Sequence, residues 1–144
     1  MDRVELAVSL FKQGFSCSQA VLAAFSESLG LDREQALRVS AGFGGGMGRM
    51  AQTCGAVTGA YMLIGMKYGG VDAKARQAKE KTYELVREFA CRFTGRHGSL
   101  VCRELLGCDL STPEGFQLAK ERKLSDTVCA NLVRDAATMV AEII

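Results

Sequence analysis

Apolar residues recur along this chain at the three- and four-residue spacing of a helix face, and nowhere alternate long enough to predict a strand. Val4, Leu6, Ala7, Leu10 and Phe11 predict a first helix, ended by Gly14. Ser16 is placed to cap a second, with Val21, Leu22, Phe25 and Leu29 as core positions and Gly30 as the stop. Asp32 caps a third through Ala36, Leu37 and Val39. Thr53 is expected to cap a fourth, running through Val57, Tyr61, Ile64 and Tyr68 to Gly69 and Gly70. Asp72 is expected to open a long fifth helix, with Lys74, Arg76, Lys79 and Lys81 on a solvated side and Thr82, Val86, Phe89 and Phe93 on an apolar side. Ser99 starts a short helix through Leu105, closed by Gly107, and Pro113 suits the first turn of another. Ser125 or Asp126 caps the last, whose Leu132, Val133, Ala136, Val140 and Ile143 fall at helical spacing. The expectation is an all-α fold, a compact bundle of about five main helices plus short ones. No linker interrupts the pattern, so residues 1–144 read as a single domain.

A chain of 144 residues buries enough surface to fold without staples. Its net charge of +2 comes with no dense Lys/Arg block and no Trp, which argues against a nucleic-acid groove or a base-stacking platform. The best apolar run, 61–66, is far short of a membrane span, and Asp2, Arg3 and Glu5 are unlike a secretory signal. These features predict a cytoplasmic protein, in a compartment where thiols stay reduced. The six cysteines then read as ligands, redox centres or core residues, and not as permanent cross-links.

None of them forms Cys-x-x-Cys, the signature of zinc ribbons and thioredoxin-like sites. Their placement is more informative. Cys17 follows Ser16, Cys54 follows Thr53, Cys102 lies three residues past Ser99, and Cys129 lies three or four past Asp126 or Ser125. Four cysteines thus fall in the expected first turns of four helices, where unpaired N–H groups and the positive end of the helix dipole favour a thiolate. If those N-termini converge they form an anion site suited to clustered thiolates or to a two-iron cluster. The competing reading is that these are small core residues. Cys91, inside a helix, and Cys108, after Gly107, do not share the placement.

Between the third and fourth helices lies a loop rich in glycine, 42–49. It lacks the Gly-Lys-Ser/Thr ending of a nucleotide loop. Gly44, Gly45, Gly46 and Gly48 instead allow backbone N–H groups to approach a cluster or a reactive sulfur, and Arg49 could add positive charge beside Cys54. A plain flexible connection is the alternative. His97, the only histidine, reads as a loop residue, and Met47, Met50, Met62 and Met66 as core filler.

The stretch Gly42-Phe43-Gly44-Gly45-Gly46-Met47-Gly48, followed by Thr53-Cys54-Gly55-Ala56-Val57-Thr58-Gly59, resembles the C_GCAxxG_C_C family of redox-active proteins. The resemblance makes Cys54 the motif cysteine, with Cys17 upstream and Cys102 and Cys129 downstream. A similar domain occurs in split-Soret cytochromes, where an iron–sulfur cluster accompanies haem, and this implies a 2Fe–2S site on the four cysteines as an electron-transfer or sensor centre. The same residues would otherwise serve a metal-free thiol–disulfide oxidoreductase or redox switch, or merely pack a helical interaction module. Cys54, at the first position of its expected helix, is predicted to be the most reactive or most indispensable thiol. A redox partner protein is implied without being identified, and a homodimer is left open.

Overall fold

A computed structural model describes residues 2–144. Asp2 caps α1 (Arg3–Lys12) by accepting the Glu5 N–H, and Gly14 turns the chain at φ +111°. Ser16 caps α2 (Cys17–Ser26) in a capping box. Its hydroxyl accepts the Gln19 N–H, and the Ser16 N–H donates to the Gln19 side chain. A 3-10 turn, Glu27–Leu29, closes at left-handed Gly30. Asp32 then caps α3 (Arg33–Val39). After the glycine loop come α4 (Gly55–Tyr68), α5 (Arg76–His97), α6 (Cys102–Leu106) and α7 (Pro113–Glu121). Pro113 opens α7, where its missing N–H costs nothing. A π-helical turn, Ser125–Cys129, leads into α8 (Ala130–Ile143). No strand is present among the described residues; the one sheet-like feature is an isolated bridge between Thr53 and Val101.

The core is built around α2 and α4. Residues 20–25 of α2 are all buried, as are Ala56, Val57, Ala60, Leu63 and Ile64 of α4. A helix apolar on every side must lie inside, and these two cross each other there. The first, third and eighth helices pack around α2. The amphipathic α5 covers α4 and α8 with Leu85, Phe89 and Phe93, and Phe89 meets the Tyr61 ring edge-on at 6.0 Å. A smaller cluster, Cys102, Leu106 and Leu124, sits under α7 and the π turn.

The all-α expectation holds, and four helix starts differ from the sequence reading. Cys54, not Thr53, is the N-cap of α4, because the Thr53 backbone is engaged in the bridge. The fifth helix begins at Arg76; Asp72 instead accepts the Lys74 N–H in a preceding turn. Ser99 makes a turn to the Val101 N–H, and α6 starts only at Cys102. Neither Ser125 nor Asp126 caps the last helix: both lie inside the π turn, entered from Lys123 at φ +52°. His97 is the last residue of α5, 2.9 Å from Asp135 without hydrogen-bonding alignment, rather than a loop residue. Met50 is 54% exposed and fills no core.

Candidate functional site

Three local devices draw Cys17, Cys54 and Cys102 toward one cleft. The first is the bridge. The Cys54 N–H donates to Leu100 O and the Cys102 N–H to Gln52 O, so α4 and α6 start from one two-stranded pairing. Cys54 caps α4 and Cys102 is the first residue of α6. The second is the pair Gly55 and Gly59 on one face of α4. A Cβ at Gly55 would meet Ser18 N at 3.0 Å and Cys17 Cβ at 3.2 Å, and one at Gly59 would meet Ser18 O at 2.9 Å. Only glycine lets α4 approach the first turn of α2 this closely, which brings Cys17 against the start of α4. The Cys-Gly-Ala-x-x-Gly pattern is thus a close helix crossing with a cysteine at its end.

The third device is the loop. Gly45, Gly46, Met47, Gly48 and Arg49 all have φ between +60° and +71°, so five successive residues are left-handed. The run is closed by its own hydrogen bonds, Arg49 N–H to Gly44 O, Ala51 N–H to Gly45 O and Gln52 N–H to Gly46 O. It is a hydrogen-bonded turn, not a loose connection. Met47, Arg49 and Ala51 are non-glycine residues in this region, each costing about 1 kcal/mol. At Gly46 a Cβ would lie 2.7 Å from Cys102 Cβ and 2.6 Å from Gln52 N. The loop therefore seats directly on Cys102.

Cys129 arrives by a different route. It ends the π turn Ser125–Cys129, one turn inside a continuous helix and not at a capped start. An extra residue in a helical turn re-aims the side chains around it, and such turns concentrate at functional sites. Here the re-aimed thiol contacts Cys17. Cys17, Cys54, Cys102 and Cys129 all line one cleft of about 1220 Å³, together with Gly44, Gly45, Gly46, Gly48 and Arg49. All six cysteines are free thiols. Cys91 is exposed on α5 and lies apart. Cys108 is half-buried in the small cluster beside Cys102, close enough for its charge to act on it.

The four thiols are not equivalent. The neighbouring Cys129 thiol and burial together raise the Cys17 pKa well above the ordinary thiol value. The same pairing with Cys17 lowers that of Cys129, outweighing its burial. Burial pushes Cys54 up to about 11, although the Ala56 and Val57 N–H groups face its sulfur and favour a thiolate. Burial and the neighbouring sulfurs push Cys102 up to about 12. At Cys54 burial thus works against the activation expected of a helix start. At 4% exposure, desolvation exceeds the dipole, and the activated thiol is Cys129. Arg49 does not sit in an ion pair at Cys54; its guanidinium lies 4.6 Å from the Phe116 ring centre.

Four thiols are in kind the donor set of a two-iron cluster. In placement, no group of three or more His, Cys, Asp or Glu side chains among the described residues is arranged as a metal-ligand set. No helix is long and apolar enough to cross a membrane.

A family model described as "Putative redox-active protein (C_GCAxxG_C_C)" matches residues 15–143, a span containing all four cysteines of the cleft. No curated protein and no solved structure matches the chain.

Proposed function

The chain belongs to the C_GCAxxG_C_C family of redox-active proteins, and from that premise we propose that it works by thiol–disulfide exchange at Cys129 and Cys17. The contact between these two thiols carries the reading. A dithiol needs one sulfur that is deprotonated readily and a second, within bonding reach, that keeps its proton until called on. The Cys129 thiolate attacks one sulfur of a disulfide R–S–S–R and displaces R–S⁻, which takes up a proton. Cys17 then gives up its proton and attacks the Cys129 sulfur, displacing the second R–S⁻ and leaving a Cys17–Cys129 disulfide. Two electrons pass from the protein to the substrate. Exchange with an external dithiol runs the sequence backwards. Cys54 and Cys102, more deeply buried and holding their protons, stand behind the pair as thiols that exchange only after it.

One observation favours a second reading. The charges of Cys54, Cys129 and Cys102 raise the pKa of Cys17, and those of Cys54 and Cys129 raise that of Cys102, a repulsion that a bound cation would relieve. On that reading Cys17, Cys54, Cys102 and Cys129 would hold a 2Fe–2S cluster, which supplies one-electron transfer.

Purification without air, followed by iron, sulfide and zinc analysis and a thiol count, separates the two. The exchange reading predicts metal-free protein that loses a pair of thiols on mild oxidation. Stoichiometric iron and sulfide with a visible absorption band would replace it by the cluster reading.

A further inference from the structure

The lining of the cleft is unevenly charged. Lys12 at the end of α1, Arg49 in the left-handed loop, Lys120 in α7 and Lys123 just beyond it all line it, against one acid, Asp126. None of these four cations makes an ion pair among the described residues, whereas the ion pairs present elsewhere use other arginines. Two of them converge. Arg49 and Lys120 both rest on the Phe116 ring, at 4.6 Å and 4.5 Å from its centre. Bringing two like charges to one ring with no carboxylate between them leaves positive charge uncompensated, and the ring's quadrupole offsets only part of it.

The sulfurs lie within this cleft. Cys54 is 4% and Cys102 7% exposed, while Cys17 and Cys129 are half-buried. A cleft of about 1220 Å³ admits a molecule of a few hundred daltons, and a reactant must enter it to reach the pair. A small molecule does so more readily than the flat face of a folded partner. Resting on the thiol–disulfide reading, we infer that the substrate is a low-molecular-weight disulfide bearing negative charge, drawn into the cleft by Lys12, Arg49, Lys120 and Lys123. The electron balance is that of the exchange already described: the anionic disulfide gains two electrons and two protons and leaves as two thiols. Phe116, Leu105 and Leu110 give the apolar part of such a molecule a surface to lie on.

The test uses three small disulfides with the full chain: oxidised glutathione, which is dianionic at neutral pH, neutral 2-hydroxyethyl disulfide, and dicationic cystamine. Each rate of Cys17–Cys129 disulfide formation is divided by the rate of the same compound with a free reference thiol. The expected order is anionic, neutral, cationic, with roughly tenfold or more between the extremes at low salt. That ratio should collapse toward one at 1 M salt, where charges are screened within about 3 Å. It should fall several-fold in the double variant Lys120→Gln, Lys123→Gln, and stay unchanged in Lys81→Gln, a residue outside the cleft. Equal normalised rates for all three compounds would overturn the inference and leave the exchange reading standing. No reaction with any of them, nor with a protein disulfide, would sink the exchange reading itself. Exchange confined to protein disulfides, with all three compounds inert, would assign the cleft to a macromolecular partner and likewise overturn the inference.

Discussion

Thr53 pairs with Val101 across an isolated antiparallel bridge, and that pairing sets Cys54 and Cys102 on the same side of it, each at the start of a helix. The motif cysteine and one lying nearly fifty residues away thus share an anchor made of backbone hydrogen bonds. The glycine loop closes over this anchor from the Cys102 side, and the α2–α4 crossing closes it from the Cys17 side.

The loop makes a sharp distinction between two glycines with the same backbone conformation. Gly48→Ala meets nothing within 4 Å and should cost only the left-handed strain, about 1 kcal/mol. Gly46→Ala adds a methyl group 2.7 Å from Cys102 Cβ and 2.6 Å from a backbone nitrogen, and should cost about 2–4 kcal/mol. Urea unfolding of the two reduced variants checks this; equal losses would contradict the seating of the loop on Cys102.

Burial of Cys54 has a consequence for stability against pH. In the unfolded chain its thiol ionises near 8.5, and in the fold near about 11. Between these values the folded state binds the extra proton, so raising the pH favours unfolding. Its share of stability is fully present below about pH 8.5 and is lost as pH climbs to about 11, at up to about 1.4 kcal/mol per pH unit. The reduced Cys54→Ser variant should show a shallower decline of stability over this window than the parent. An identical slope, measured by urea unfolding under strictly reducing conditions, would count against the burial.

The order of alkylation should follow exposure and charge together. Limited iodoacetamide treatment of the folded, reduced protein is expected to label exposed Cys91 and activated Cys129 first, and Cys54 and Cys102 last. Peptide mapping over time reads this directly. Early labelling of Cys54 would restore it as the reactive thiol.

Much of the architecture was legible from local signals. Ser16, Asp32, Pro113, Gly30 and Gly107 carry their cap or stop chemistry on the residue itself, and each acts as its type predicts. The misplaced starts were decided by partners distant in sequence. Thr53 looks like a cap, but its backbone pairs with Val101, forty-eight positions away, and passes the capping position to Cys54. The π turn before α8 has no side-chain signature, because Ser125 and Asp126 read as caps wherever they stand. The four cysteines were singled out by their positions and the family motif, yet their ranking was not legible. The helix dipole at Cys54 is a local property; the desolvation that defeats it, and the Cys17 contact that activates Cys129, come from packing. Cys108 lacks the helix-start placement, yet its closeness in sequence leaves open a pairing with Cys102, and the fold packs the two side by side.

The most direct test of the account is to identify the first disulfide formed when the reduced, metal-free protein meets a limiting amount of oxidant. Non-reducing digestion and mass spectrometry assign it. The contact between Cys17 and Cys129 predicts that this pair forms first, that Cys129→Ser abolishes it, and that Cys91→Ser leaves it unchanged. A first bond between Cys102 and Cys108, or between Cys54 and Cys102, would contradict the central claim.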